Sequence, residues 1–315
     1  MRNSIFFRLL LISTVLAGGI PAKAAPLASA ARTVIPAEIQ QIIEVDYRRL
    51  NASPAALALK ARVMPEQLQQ LESSLRGVGV RPESDIETLT FASFRMPNNI
   101  LRMVGIASGE FSTQKILLRI KKQKVQPEKY RTALLYPMGG SMAMTFLDNY
   151  TMLFGEPRAV KAAIRARDGE ALTLNSNSRV TDLISGVDSG TVWSVLDAEG
   201  TQNMMRSALG EASGLADYEV IKKRLLGSRY SMDFSNGVSF DMDVVTPDTF
   251  SAATLSTLFQ VGILARKTAA RGVEKTALDN IVVNSNSGNM RLHFKTDDKN
   301  FETLIQSDLF AAVSK

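Results

Sequence analysis

The stretch RYSMDFSNGVSFDMDVV, residues 229–245, decides the fold class. Two runs of alternating apolar and polar residues flank Ser235-Asn236-Gly237. An Asn-Gly pair accepts the positive φ angles of a tight two-residue reversal, so the stretch reads as a β-hairpin of strands Arg229–Phe234 and Val238–Val245. Downstream, Thr246 caps an expected helix from Pro247 to about Ala270. Strands Asn280–Asn284 and Asn289–Lys295 flank Ser285-Asn286-Ser287-Gly288, and a last helix runs from Asp298 to Val313. Upstream lie a strand at Thr191–Asp197, a helix at Thr201–Leu209 and a polar loop at Gly210–Tyr218. The first half repeats this order loosely. A strand at Ile39–Tyr47 precedes Ser53-Pro54, a helix cap followed by a proline at the first helical position. A helix from Pro65 carries Leu68, Leu71 and Leu75 on one face and stops at Gly77. Strands Glu87–Phe94 and Ile100–Ala107 follow, then a helix from Thr113 to Lys124. Phe111 and Ile116 stand where a hydrophobic staple would fix its entry. Strands Tyr130–Tyr136, Ser141–Leu147 and Thr151–Gly155 come next, then helices from Pro157 and over Arg179–Ser185. The expected fold is α+β: two related units of mainly antiparallel sheet with helices packed on one face. The first unit spans residues 37–188 and the second residues 189–315.

The amino-terminal segment reads as an export signal. Arg2 and Arg8 precede the apolar run Leu9–Ala17, and Ala22-Lys23-Ala24 forms a small-residue cleavage site, which places cleavage before Ala25. The apolar run is too short to span a bilayer, so the mature chain is expected to lack a transmembrane helix and to reside in the periplasm or outside the cell. Ala25–Pro36 reads as a flexible leader. Cleavage would remove Arg2, Arg8 and Lys23 and no acid, so the net charge of +6 falls to +3. That balance excludes nucleic acid as an expected partner. The chain has no cysteine and one histidine, His293. Disulfide frameworks, thiol nucleophiles and Cys/His metal sites are therefore excluded.

Several short motifs stand along the first half of the chain: Ile43–Tyr47 with Arg49-Leu50 and Ser53-Pro54, Arg81-Pro82-Glu83-Ser84-Asp85-Ile86, Gly109-Glu110-Phe111, Leu147-Asp148, and Phe154-Gly155-Glu156 with Val160–Ile164. In this combination the chain resembles a group of uncharacterised bacterial exported proteins built from duplicated α+β units. The resemblance covers most of residues 37–200. It implies the fold and an exported location, and carries over no catalytic residue.

Candidate chemistry is sparse. Ser112-Thr113-Gln114-Lys115 matches the S-x-x-K of penicillin-recognising enzymes, where serine and lysine lie one helical turn apart. Its companion motifs are lacking: Lys267-Thr268-Ala269 and Lys275-Thr276-Ala277 have alanine in place of the K-T-G glycine. A capping Ser112 and a solvated Lys115 are the simpler reading. Gly139-Gly140-Ser141-Met142-Ala143 is an incomplete nucleophile elbow, and a triad would depend on His293. That residue is expected on a polar strand face, pointing to solvent between Arg291 and Lys295. Met138, Met142 and Met144, with Met152 nearby, could hold Cu(I) through soft thioethers, or simply fill a core. Lys115, Arg119 and Lys122 share a helix face that suits an anionic lipid, an acidic partner or plain solvent. Lys222-Lys223-Arg224 is similar. The acid pairs Glu44/Asp46 and Asp241/Asp243 project from strands and read as exposed faces. The residues favour an exported, non-enzymatic binding, scaffolding or envelope-interaction protein for a protein, peptide or lipid partner, with no cofactor. The alternatives are a serine-dependent hydrolase using Ser112 and Lys115, and a copper binder using Met138, Met142 and Met144.

Overall fold

The structure, a computed structural model, describes residues 27–63, 66–187, 190–209 and 216–307, so the expected signal at 1–24 lies outside it. Helix α1 (Ser29–Val34) precedes strand β1 (Ile39–Asp46). Helices α2 (Tyr47–Ala52), α3 (Pro54–Val63), α4 (Glu66–Val78) and the single turn α5 (Pro82–Asp85) lead to strands β2 (Ile86–Met96) and β3 (Ile100–Gly109). Then come α6 (Thr113–Lys122), β4 (Glu128–Tyr130), β5 (Ala133–Met138), β6 (Met142–Phe146), β7 (Thr151–Gly155), α7 (Pro157–Arg167) and α8 (Ser178–Ser185). The second half runs β8 (Val192–Asp197), α9 (Ala198–Leu209), α10 (Ala216–Ile221), β9 (Gly227–Asp233) and β10 (Val238–Val245). It finishes with α11 (Thr249–Ala269), α12 (Gly272–Asp279), β11 (Ile281–Asn286), β12 (Asn289–Thr296) and α13 (Asp298–Leu304).

The fold is α+β, and all the strands join one antiparallel sheet in the order β11-β12-β10-β9-β8-β1-β2-β3-β7-β6-β5-β4. The two halves meet where β1 pairs with β8, Glu44 opposite Trp193. Joining there pairs the backbone of two strands that would otherwise be open edges. The expected hairpin forms around Ser235-Asn236-Gly237, but the strand register centres its turn on Asn236, and of that pair Gly237 alone is left-handed, at φ +72°. Phe111 and Ile116 are both buried in one cluster, as a staple requires.

Helices cover both faces of the first half, where one face was expected. Ile42, Ala92, Val104, Ile106 and Leu153 pack under α1, α7 and α8. Phe91, Ala107, Met152 and Phe154 pack on the opposite face with Leu75 of α4 and Ile116 and Ile120 of α6. Apolar residues at both parities of β2, β3 and β7 demand this double cover. In the second half α10 and α11 cover Met242, Val244, Met290 and Leu292. The other face there carries charge.

The stretch read as a flexible leader is packed from Leu27 onward. Leu27, Ala31 and Val34 stand at i, i+4 and i+7 and are buried against the core containing α7. The small alanine disguises that stripe in the sequence. Tyr218, placed in a polar loop by the sequence, is buried on α10 and donates to the Gln202 carbonyl at 3.1 Å. Asp248, rather than Thr246, caps α11 by accepting from the Ser251 amide at 2.8 Å. Among the described residues no helix is long and apolar enough to cross a membrane.

Candidate functional site

One row of side chains leads from the centre of the sheet to a groove near its β4 edge. Across β1, β2, β3, β7, β6 and β5 the row reads Ile43, Phe91, Gly105, Phe154, Met144, Tyr136. Gly105 is required there. The Phe154 ring lies over it, and a Cβ would sit 2.1 Å from that ring. Phe91 and Phe154 meet edge to face with centroids 5.9 Å apart. Tyr136, at the end of the row, forms the wall of a groove.

That groove has a volume of about 640 Å³ and lies between α6 and the β5 edge. Leu117, Leu118, Ile120, Val125, Pro127 and Tyr136 give it apolar walls, with Lys121 and Lys124 at its rim. A second chamber of about 260 Å³ shares Ile120, Val125 and Tyr136 with the first. It continues inward past Met138 and Met144 to Val78 of α4. Burial raises the pKa of the Tyr136 hydroxyl, in keeping with its apolar surroundings. Pro137 interrupts the edge of β5 beyond the short β4, which keeps a further strand from pairing where the groove opens. The α4 wall is pinned from outside. Glu72 accepts from the Tyr47 hydroxyl at 2.5 Å and pairs with Lys60 at 2.6 Å.

The methionines named from the sequence converge on this region. Met138 faces Met142 across β5 and β6, Met144 is buried, and Met138 and Met144 line the inner chamber. Thioethers there give an adaptable apolar lining. Ser112 and Lys115 are both exposed. Ser112 occupies the N-cap position of α6, but its side chain makes no capping hydrogen bond. The Thr113 hydroxyl instead bonds Asn149. Ser141 has φ +62° in a single turn between β5 and β6. A nucleophile elbow leads from strand to helix, whereas here the chain returns as a strand. His293 lies on β12, eight strands from β6, or about 38 Å away.

His293 does not simply face solvent. Its Nδ1 lies 2.7 Å from Asp241 Oδ1 on β10. The row across β9, β10 and β12 is Ser231, Asp241, His293, so the acid separates serine from histidine by two strand spacings, about 10 Å. A triad needs the histidine in the middle. In the next row Asp243 accepts from Arg229 at 2.9 Å and from Arg291 at 2.7 Å. Burial pushes the Asp243 carboxyl up, but the bonds from the two arginines outweigh it and hold the group below the ordinary range. On this face one carboxylate, Asp243, is shared by two arginines, and a second, Asp241, is bonded to His293. Cross-strand register, which the sequence did not supply, creates these pairings.

Glu44 is the largest departure from the sequence reading. It was expected on an exposed face; it is 2% exposed in the middle of the sheet. The Thr90 hydroxyl donates to Oε2, while Oε1 has no hydrogen-bond partner. Its pair mate Asp46 caps α2 through the Arg49 amide at 2.9 Å.

No protein-family model matches the chain, and no curated protein is significantly similar to it. Among solved structures it is similar to TP0453. Crystal form I of that protein gives a TM-score of 0.48 at 8% identity, covering 90% of this chain and 97% of that one. Crystal form III gives a TM-score of 0.48 at 7% identity, with coverages of 87% and 97%.

Proposed function

We propose that this chain is an exported, non-enzymatic binding protein whose groove between α6 and β5 receives an apolar ligand. The observation that carries the reading is the groove walled by Leu117, Leu118, Ile120, Val125 and Tyr136, with a smaller chamber beside it. The groove's volume of about 640 Å³ falls in the range of about 300–1,000 Å³ typical of small-molecule sites. Leu118 is 60% exposed and lines the groove beside Leu117, Ile120 and Val125, so its exposed surface is part of a continuous apolar lining. Ser112 and Lys115 line neither chamber, and Ser141 and Ser231 lie apart from His293, which supports binding over hydrolysis. Export rests on Met1–Ala24, and the periplasmic or secreted protein is expected to begin at Ala25, which intact mass measurement checks.

The neutral dye N-phenyl-1-naphthylamine tests the groove. The full chain is expected to enhance its fluorescence saturably. Leu118→Glu should weaken binding tenfold or more, because a carboxylate then occupies an apolar wall. Leu264→Glu, on the exposed side of α11, should change nothing. Absence of saturable binding, or equal binding by the Leu118→Glu protein, would overturn the reading.

A further inference from the structure

The end of α6 differs from two helix ends built to the same plan. Helix α4 closes with the Gly79 amide donating to the Arg76 carbonyl at 3.0 Å and the Val80 amide to the Leu75 carbonyl at 2.9 Å. Helix α7 closes likewise, Gly169 to Ala166 at 3.1 Å and Glu170 to Arg165 at 2.9 Å. Both are Schellman motifs, and the residue that must turn left-handed is glycine, at φ +92° and +79°. Helix α6 makes the same two bonds, Lys124 to Lys121 at 3.0 Å and Val125 to Ile120 at 3.4 Å. Its left-handed residue is Lys124, at φ +57°. A side chain at that position is strained where glycine is not.

The strain has a location. Lys124 lies at the rim of the groove with Lys121, the other residue of the same capping bond. Ile120 and Val125, which the motif brings together, are walls common to both chambers. No carboxylate lines either chamber, and neither lysine is paired with one among the described residues. Cations at a helix C-terminus also favour the helix dipole, but that preference is met by Lys121 and Lys122 and does not call for a left-handed lysine. A left-handed turn that sets a lysine in the lining of an apolar groove is suited to an amphiphile with one anionic end.

We infer that the ligand is a single-chain anionic amphiphile, a long-chain carboxylate, held with its chain along Leu117, Ile120 and Tyr136 and its head group between Lys121 and Lys124. The inference rests on the groove being a ligand site and adds the chemical class of what enters it. A single chain suits one apolar groove lined by two lysines and no carboxylate. A free acid and a membrane lipid could both present an anionic head; the geometry favours the free, single-chain molecule.

The test compares hexadecanoate with hexadecanol on the full chain by displacement of N-phenyl-1-naphthylamine. Hexadecanoate is expected to bind at least tenfold more tightly than the alcohol, a preference that shrinks as salt is raised. In the Lys121→Gln, Lys124→Gln double variant the preference should vanish while the alcohol binds as before. Lys124→Gly should lose part of the preference without a fall in melting temperature, since glycine suits the turn. If both lysines act only as helix caps, the double variant keeps the preference, which overturns the inference. Equal affinity of the wild type for acid and alcohol overturns it too, and leaves the groove reading standing. Failure of both to displace the bound dye overturns the inference, whereas failure of the dye itself to bind removes the groove reading. Binding confined to vesicles of a two-chain anionic phospholipid would overturn the single-chain assignment.

Discussion

Glu44→Gln is expected to stabilise the protein by about 3 kcal/mol at pH 8 and to change little at pH 4. Burial lifts the Glu44 carboxyl to about 7 from its ordinary 4.5; the Thr90 and Thr88 hydroxyls offset this only partly, and the Asp46 charge adds to it. The folded state therefore keeps the proton more tightly than the unfolded chain does. Below about pH 4.5 both states are protonated and the group has no effect. Between about 4.5 and 7 the unfolded chain releases its proton and the folded one does not, so stability falls as pH rises. Above 7 the folded protein carries a buried carboxylate with an oxygen that has no partner. At about 1.4 kcal/mol for each unit, the span gives the 3 kcal/mol. Glutamine keeps an acceptor for Thr90 and cannot ionise. Urea midpoints at pH 4 and pH 8 provide the measurement. Other carboxylates cancel in the difference between the two proteins. An equal gap at both pH values would show that Glu44 ionises in the folded protein as it does in water.

Gly109→Ala should cost about 3 kcal/mol, through overpacking rather than lost contact. Gly109 ends β3 beside an irregularity in its register with β2. A Cβ there would stand 2.0 Å from the Asp85 carbonyl oxygen. That oxygen cannot move freely, because it accepts from the Glu110 amide at 3.0 Å, and the Gly109 amide is itself bonded to Tyr150. Gly77→Ala is the matched control. Gly77, where the sequence would stop the helix, is the penultimate residue of α4, which closes at Gly79 instead, and a Cβ there meets nothing within 4 Å. Alanine in this last turn should gain up to about 0.5 kcal/mol. Thermal unfolding of the two variants should move in opposite directions. A similar loss in both would mean that the Asp85 carbonyl is not the obstacle.

Local signals carried most of the secondary structure. Asn236-Gly237 set a hairpin because the reversal needs one left-handed residue, which Gly237 supplies at φ +72°. Ser53-Pro54 marked the start of α3, where the Ser53 hydroxyl accepts from the Ala56 amide at 3.2 Å. Phe111 and Ile116 marked the entry to α6. These depend on residues a few positions apart. The signals that failed were those in which one face of an element is ambiguous. Glu44 alternates with Ile43 and Val45 as an exposed acid would, yet pairing with both β2 and β8 places it at the centre of the sheet. The stripe of Leu27, Ala31 and Val34 was masked by alanine, whose burial the core decides. Lys124 stood in the sequence as one more lysine in a basic stretch. Only its backbone angle and its bond to Lys121 separate it from a solvated neighbour such as Lys122.

The sequence by itself determined the α+β class, the hairpins and most helix starts, because turn chemistry and periodicity act over a few residues. It also excluded thiol and multi-histidine chemistry, since no folding can supply absent side chains. The tertiary structure decided that the strands form one sheet through β1 and β8. It set Asp241 against His293 and Asp243 between two arginines, and it brought α6 and β5 together around a groove. Those outcomes depend on register and packing between segments far apart in the chain. There a shift of one residue moves every side chain to the opposite face.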